Sequence, residues 1–389
     1  MRKGKWLYFL LMAGLAAVLS LSGPASASAG SSLPKPNWEK TLASEAYGFP
    51  QAPYHVPNTN TVYIHSTSSV QSETKIWEVG IVSAVDRTTG KEKWSYPFYK
   101  KGMAYPWSTK MAYSAKGSVY ALVEDGRGTK LYSVNSSGKL NWMLPVPAAN
   151  ELVVMNDGTI ILINPSKRDA NGKFVPWAYA YGTNGKKLSE RALGDQYSVV
   201  DGTYLVSQVG GLVKSKIDVY GSKLNKQFTY TPPSNAYIDV AGFSWVYNSS
   251  DLLLRMNVPS KGNQLIALNA KGKTLWVRSI AGNATVQSVG KNYVVYENGE
   301  MKVYGAKGLL LKKSMKLTDP MQVVHKTIDH QLLINENEYK SVLDPATLKT
   351  IYHLPYDEET SEYYYAGNGY LYEVKDFFKL SQYTLPAVQ

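Results

Sequence analysis

The sequence predicts an all-β fold, an eight-bladed β-propeller, and three observations carry the prediction. A turn with a short strand on each side recurs about every 43 residues. A series of short β-branched and aromatic runs precedes these turns. No stretch carries the 3.6-residue period of an amphipathic helix. Repeats of roughly 40–45 residues with four strands each are the period of a propeller blade.

The turn series starts with "SAVDRTTGKEKW", Ser83 to Trp94, and returns as "YSVNSSGKLNW", Tyr132 to Trp142, and "IALNAKGKTLW", Ile266 to Trp276. Each time a Trp stands four residues after the turn Gly: Gly90 and Trp94, Gly138 and Trp142, Gly272 and Trp276. Weaker copies that lack the Trp run from Ala180 to Ser189, Val219 to Phe228, Val303 to Lys313 and Val342 to Tyr352. The strand series begins at Val62-Tyr63-Ile64 and ends at Tyr370-Leu371-Tyr372, with eight members against seven turns.

That mismatch predicts how the ring closes. The eighth strand pair, Gly369 to Leu385, is followed by no turn-and-Trp element, whereas "NWEKTLAS", Asn37 to Ser44, reads as an outer strand with Trp38 in the place of Trp94. The N-terminal strand is expected to complete the last blade, which removes an exposed sheet edge. Seven blades is the fallback count.

Turn chemistry explains the repeated residues. Gly supplies a positive φ without steric cost, and Asp86, Asn135 and Asn269 can hydrogen-bond the backbone of their own turns. A Trp on the strand that follows can pack on the neighbouring blade with its N–H given to a backbone carbonyl. These residues are expected to build blades rather than perform chemistry.

Ala84, Asp86, Thr89, Gly90 and Trp94 match the pattern A-x-D-x-x-T-G-x-x-x-W. On these residues the chain resembles the PQQ-like (quinoprotein alcohol dehydrogenase-like) β-propeller repeat family, nearer its non-enzymatic, BamB-like members. The resemblance extends as a repeat over the whole of 30–389, fully only in the first copy, and it implies eight blades. It does not by itself imply the cofactor. The dehydrogenases of this family bind PQQ over a Ca²⁺ ion and resemble a longer chain, usually with a vicinal Cys-Cys pair. This chain has no Cys. Neither PQQ nor Ca²⁺ is therefore expected.

The absence of cysteine also excludes disulfides, thiol catalysis and cysteine metal sites. Among five His, "HKTIDH" sets His325 and His330 five apart, an odd spacing that points two strand side chains to opposite faces. No G-x-S-x-G, P-loop or H-E-x-x-H element is present. The alternative function is a secreted carbohydrate-active enzyme on a propeller scaffold. The 30 Tyr and 9 Trp can stack on sugars, with dense clusters at Tyr363 to Tyr365 and at Tyr105-Pro106-Trp107.

Arg2, Lys3 and Lys5, the apolar run Trp6 to Leu21 and Ala27-Ser28-Ala29 read as a signal peptide over 1–29, leaving 30–389 as one domain. No other stretch is long and apolar enough to span a bilayer. A secreted or wall-associated bacterial protein, acting as a monomer, is the expectation.

The net charge is +12, three of it in the signal segment. An exported basic protein meets anionic wall polymers, acidic polysaccharides and lipid headgroups rather than nucleic acid. In an up-and-down blade, all turns between third and fourth strands emerge on one face. Those turns carry Lys91, Lys139, Lys186, Lys187, Lys271 and Lys273, among others. The hairpins between second and third strands carry Glu124, Asp125, Glu297, Glu300, Glu336, Glu338, Glu373 and Asp376. A basic face is expected opposite a more acidic one. The basic face is the candidate docking site for an anionic polymer, and a protein partner is the other expectation.

Overall fold

Eight antiparallel sheets make up this computed structural model: six are meanders of four consecutive strands, one carries an additional short strand, and one is completed by a strand from the other end of the chain. It describes residues 33–42, 53–71, 76–98, 108–200, 202–210, 216–233, 236–238, 246–247, 251–289, 292–305, 307–316, 324–326, 331–335, 339–355, 361–376 and 379–388. The signal segment, Tyr105-Pro106-Trp107, Glu336, Glu338, Asp329 and His330 lie outside the described residues.

The first blade contains Tyr54–His55, Thr61–Gln71, Ile76–Asp86 and Glu92–Pro97. The second contains Ser108–Tyr113, Val119–Asp125, Gly128–Val134 and Leu140–Val146. The third is Glu151–Val154, Ile160–Arg168, Phe174–Tyr181 and Lys187–Ala192, and the fourth Gln196–Val200, Tyr204–Val209, Lys216–Tyr220 and Lys226–Tyr230. In the fifth, Tyr237–Ile238 and Val246–Tyr247 both pair with Asp251–Val258, followed by Gly262–Leu268 and Thr274–Ser279. The sixth is Thr285–Val289, Asn292–Glu297, Glu300–Gly305 and Leu310–Lys316. The seventh is Val324–Lys326, Leu332–Asn335, Tyr339–Leu343 and Thr350–Pro355.

The eighth blade takes three strands from one end of the chain, Ser361–Tyr365, Tyr370–Lys375 and Lys379–Thr384, and its fourth, Trp38–Thr41, from the other. Trp38 pairs with Gln382 and Thr41 with Lys379. Asn37 donates its backbone N–H to Gln382 O at 2.7 Å and its Nδ2 to Thr384 Oγ1 at 2.9 Å. Glu39 and Lys379 add an ion pair at 2.7 Å. Eight blades and closure by the N-terminal strand are as the sequence predicts.

The core lies between blades because both faces of every middle strand are covered. Val62 and Ile64 face the eighth blade with Tyr372 and Val374, while Tyr63, Val82 and Ala84 pack with Met111, Ala121 and Val123 of the second. Strand alternation sends successive side chains to opposite neighbours, so the middle strands read as unbroken apolar runs. The outermost strands differ. Leu140–Val146 alternates exposed and half-buried residues, as an edge strand with one solvated face must. No helix among the described residues is long and apolar enough to cross a membrane.

Candidate functional site

The seven complete hairpins between third and fourth strands share one construction. Each carries a register shift next to its turn, between Ala84 and Val85, Ser133 and Val134, and so on to Val342 and Leu343. A bulge of this kind needs a residue in the left-handed region. Gly90, Gly138, Gly185, Gly272 and Gly308 supply it with φ between 67° and 80°, and Leu224 and Leu348 do so at 57°. Side-chain caps fix the turns. Asp86 Oδ1 accepts from Thr88 N at 3.0 Å and Thr89 N at 3.1 Å, which with the Thr88 hydroxyl holds its carboxyl well below the usual range. Asn135 Oδ1 accepts from Ser137 N and Lys139 N, and Asn269 Oδ1 from Lys271 N and Lys273 N.

Three of these turns are pinned by an indole N–H from the blade before them. Trp38 Nε1 donates to Arg87 O at 2.9 Å, Trp94 Nε1 to Ser136 O at 2.8 Å, and Trp142 Nε1 to Thr183 O at 2.8 Å. The rings lie so close over the turn glycines that a Cβ on Gly90 would meet Trp38 at 2.6 Å, and one on Gly138 would meet Trp94 at 2.7 Å. Trp276 covers Gly308 in the same way, and Phe228 covers Gly272. The five αL glycines therefore each face an aromatic ring. Where the preceding outer strand has Ser189 or Lys312 at the aromatic position, the next turn has buried Leu224 or Leu348 in place of glycine. This pairing is invisible in any single repeat, because its two halves lie about one repeat apart.

The construction sets the lysines on one face. Lys91, Lys139, Lys186, Lys271 and Lys273 are exposed and make no side-chain hydrogen bond or ion pair among the described residues. Lys187 is paired with Glu190 at 2.8 Å, which leaves it less free than the others. Lys93 is drawn down to Asn60 O at 2.6 Å and Thr61 Oγ1 at 2.9 Å, and Lys226 to Asp218 at 2.7 Å. The topology also sends the turns between first and second strands to this face. They contribute Lys116 and also Asp157, which accepts from the Ser222 hydroxyl at 2.6 Å.

The opposite face is less acidic than the sequence reading suggests. Asp125 is buried and paired with Lys130 at 2.9 Å. Lys302 reaches Glu297 at 3.4 Å and Glu300 at 3.1 Å. Glu373 is not a turn residue. It sits inside the strand Tyr370–Lys375, buried, and accepts from Ser361 Oγ at 3.0 Å, Tyr363 OH at 3.2 Å and Tyr383 OH at 2.5 Å.

The aromatic run Tyr363 to Tyr365 uses its hydroxyls within the fold, on Glu373, Glu362 and Gln331 respectively. On the inner strands, Tyr197 OH also donates to Glu151 at 2.6 Å. Among the described residues no group of three His, Asp or Glu is placed to hold a metal ion. His325 lies on the short strand Val324–Lys326.

Residues 78–208, from the first blade into the fourth, match the family model for the outer membrane protein assembly factor BamB. No curated protein matches the chain in sequence. Similar solved structures include BamB from Moraxella catarrhalis, at 12% identity over 82% of this chain and 98% of that one, with a TM-score of 0.47. A europium-containing methanol dehydrogenase gives 12% identity, 87% and 84% coverage and a TM-score of 0.45. The computationally designed Ika8 protein gives 10%, 88% and 98%, with a TM-score of 0.49. The chain is thus an eight-bladed β-propeller, of which residues 78–208 are similar to the PQQ-like repeat model named for BamB.

Proposed function

We propose that this propeller is a non-catalytic binding or assembly scaffold exported to the bacterial cell envelope, and that it docks on an anionic wall polymer through the lysine-bearing turn face. The observation that carries the reading is the repetition of one rigid turn that presents exposed Lys91, Lys139, Lys186, Lys271 and Lys273 on the same face. Charges held at fixed spacing can engage a repeating polyanion at several points at once. Such contact is weak per site, strong in sum and screened by salt. The BamB family model, whose name is that of an assembly factor, supports a scaffold role in general.

The test is co-sedimentation with purified cell-wall fractions over a salt series, beside a variant with Lys139, Lys186, Lys187, Lys271 and Lys273 changed to Gln. Retention at low salt that is lost both at high salt and in the variant is the expected result. Retention indifferent to both, or no retention, overturns polymer docking and leaves a protein partner as the scaffold's target.

A further inference from the structure

The sixth blade breaks the pattern of the turn face. The residue directly after the left-handed turn position is lysine in five of the seven turns, Lys91, Lys139, Lys186, Lys273 and Lys349, and asparagine at Asn225 in a sixth. In the sixth blade it is Leu309, at 66% the most exposed large apolar side chain among the described residues. Leu310 at 45% and Leu311 at 44% follow it. A strand normally buries one of two successive side chains; here both stay open because the strand Leu310–Lys316 is the outermost of its blade.

This is a firm prong. Gly305 N–H donates to Leu309 O at 2.9 Å, and Gly308 N–H to Gly305 O at 2.9 Å. Trp276 lies over Gly308, and Arg278 donates to Gly308 O while stacking on Tyr304 at 3.9 Å. The leucines cannot fold back without breaking that anchor. In sequence the leucines are bracketed by Lys307 and by Lys312 and Lys313. Clustered apolar residues on a soluble surface mark a contact site. Exposed leucines flanked in sequence by lysines fit a surface that is anionic outside and apolar just beneath, which is a bilayer rich in anionic lipid.

We infer that the Leu309-Leu310-Leu311 turn inserts into the headgroup boundary of an anionic membrane, with the flanking lysines on the phosphates. The contact needs only the sixth blade, and it stands apart from the polymer reading.

The experiment is flotation of the protein, purified in the form the cell accumulates, with vesicles of phosphatidylglycerol and phosphatidylcholine or of phosphatidylcholine alone. The key variant is L309K, which installs the residue found at this place in five other turns and so keeps the turn foldable. A second variant changes Leu309, Leu310 and Leu311 to Gln. The wild type should float with the anionic vesicles only, and L309K should bind at least tenfold more weakly despite its extra positive charge. No flotation of the wild type, or L309K binding as tightly as wild type or tighter, overturns insertion. No wall polymer is present, so the two readings fail independently.

Discussion

Leu224 holds the left-handed turn position of the fourth blade at φ 57°, and the third blade's Ser189 reaches the same turn through a 2.6 Å hydrogen bond from its Oγ to Lys223 O. Five other turns have glycine at that position, facing Trp or Phe. The bulk has moved from one side of the blade interface to the other. The expected consequence is strong coupling. Leu224→Gly alone leaves a void, Ser189→Trp alone overfills the contact, and the double variant should recover on the order of 1 kcal/mol or more of the summed loss. Urea midpoints of the four proteins in the cycle check this. Additive losses would show that the two residues do not share a space.

Gly138 sits at φ 77° with the Trp94 ring 2.7 Å from where a Cβ would be. Gly138→Ala adds both left-handed strain and a clash, and should cost roughly 2–4 kcal/mol. At Gly172, with a similar φ of 78°, nothing lies within 4 Å of such a Cβ. Gly172→Ala should therefore cost only the backbone part, about 1–2 kcal/mol. Chemical unfolding of the two variants separates the terms.

Trp38 is the pin of the closing blade. It is buried, donates to Arg87 O and meets Tyr372 edge-on at 6.0 Å. Trp38→Ala should remove about 3–5 kcal/mol, the ordinary cost of truncating a large core aromatic. The same substitution at Trp142, which is only half-buried, should cost less. Thermal and urea unfolding read the difference.

One buried and one half-buried histidine predict an acid limit. His65 is 5% exposed, neither ring nitrogen has a partner among the described residues, and burial pushes its pKa down to about 4. His55, 2.8 Å from Tyr372 OH, is lowered to about 4 by burial and by the Arg87 charge. Both folded values lie below the unfolded value of about 6.5, so the unfolded chain takes up protons first. Stability is full above pH 6.5 and should fall between pH 6.5 and 4, by up to roughly 3 kcal/mol per histidine. His65→Phe should flatten that fall, as urea midpoints at pH 7 and pH 4.5 would show. An unchanged slope would assign the acid loss to carboxylates such as Asp86.

The ring and its closure were legible in the sequence because blade turns rest on local chemistry. Gly90, Asp86 and Trp94 state turn, cap and pin within a dozen residues, and Trp38 states the missing strand. What was not legible depends on partners one blade away. Leu224 looks like a decayed repeat until Ser189 is placed opposite it. Glu373 reads as a hairpin acid, but the register with Tyr363 and Ser381 carries it into the sheet. Leu309 looks like one more strand residue until its place is compared with Lys91 and Lys139.

The pairing of Trp38 with Gln382 also sets an order of events. Asn37 and Gln382 touch across 345 residues of chain. A chain made from its N-terminus must hold Trp38 uncommitted until Lys379–Thr384 has emerged. Every intermediate before that moment is an open arc with two raw edges. Completion is thus a late and slow step, and it is the step at which a chaperone or a competing strand would act.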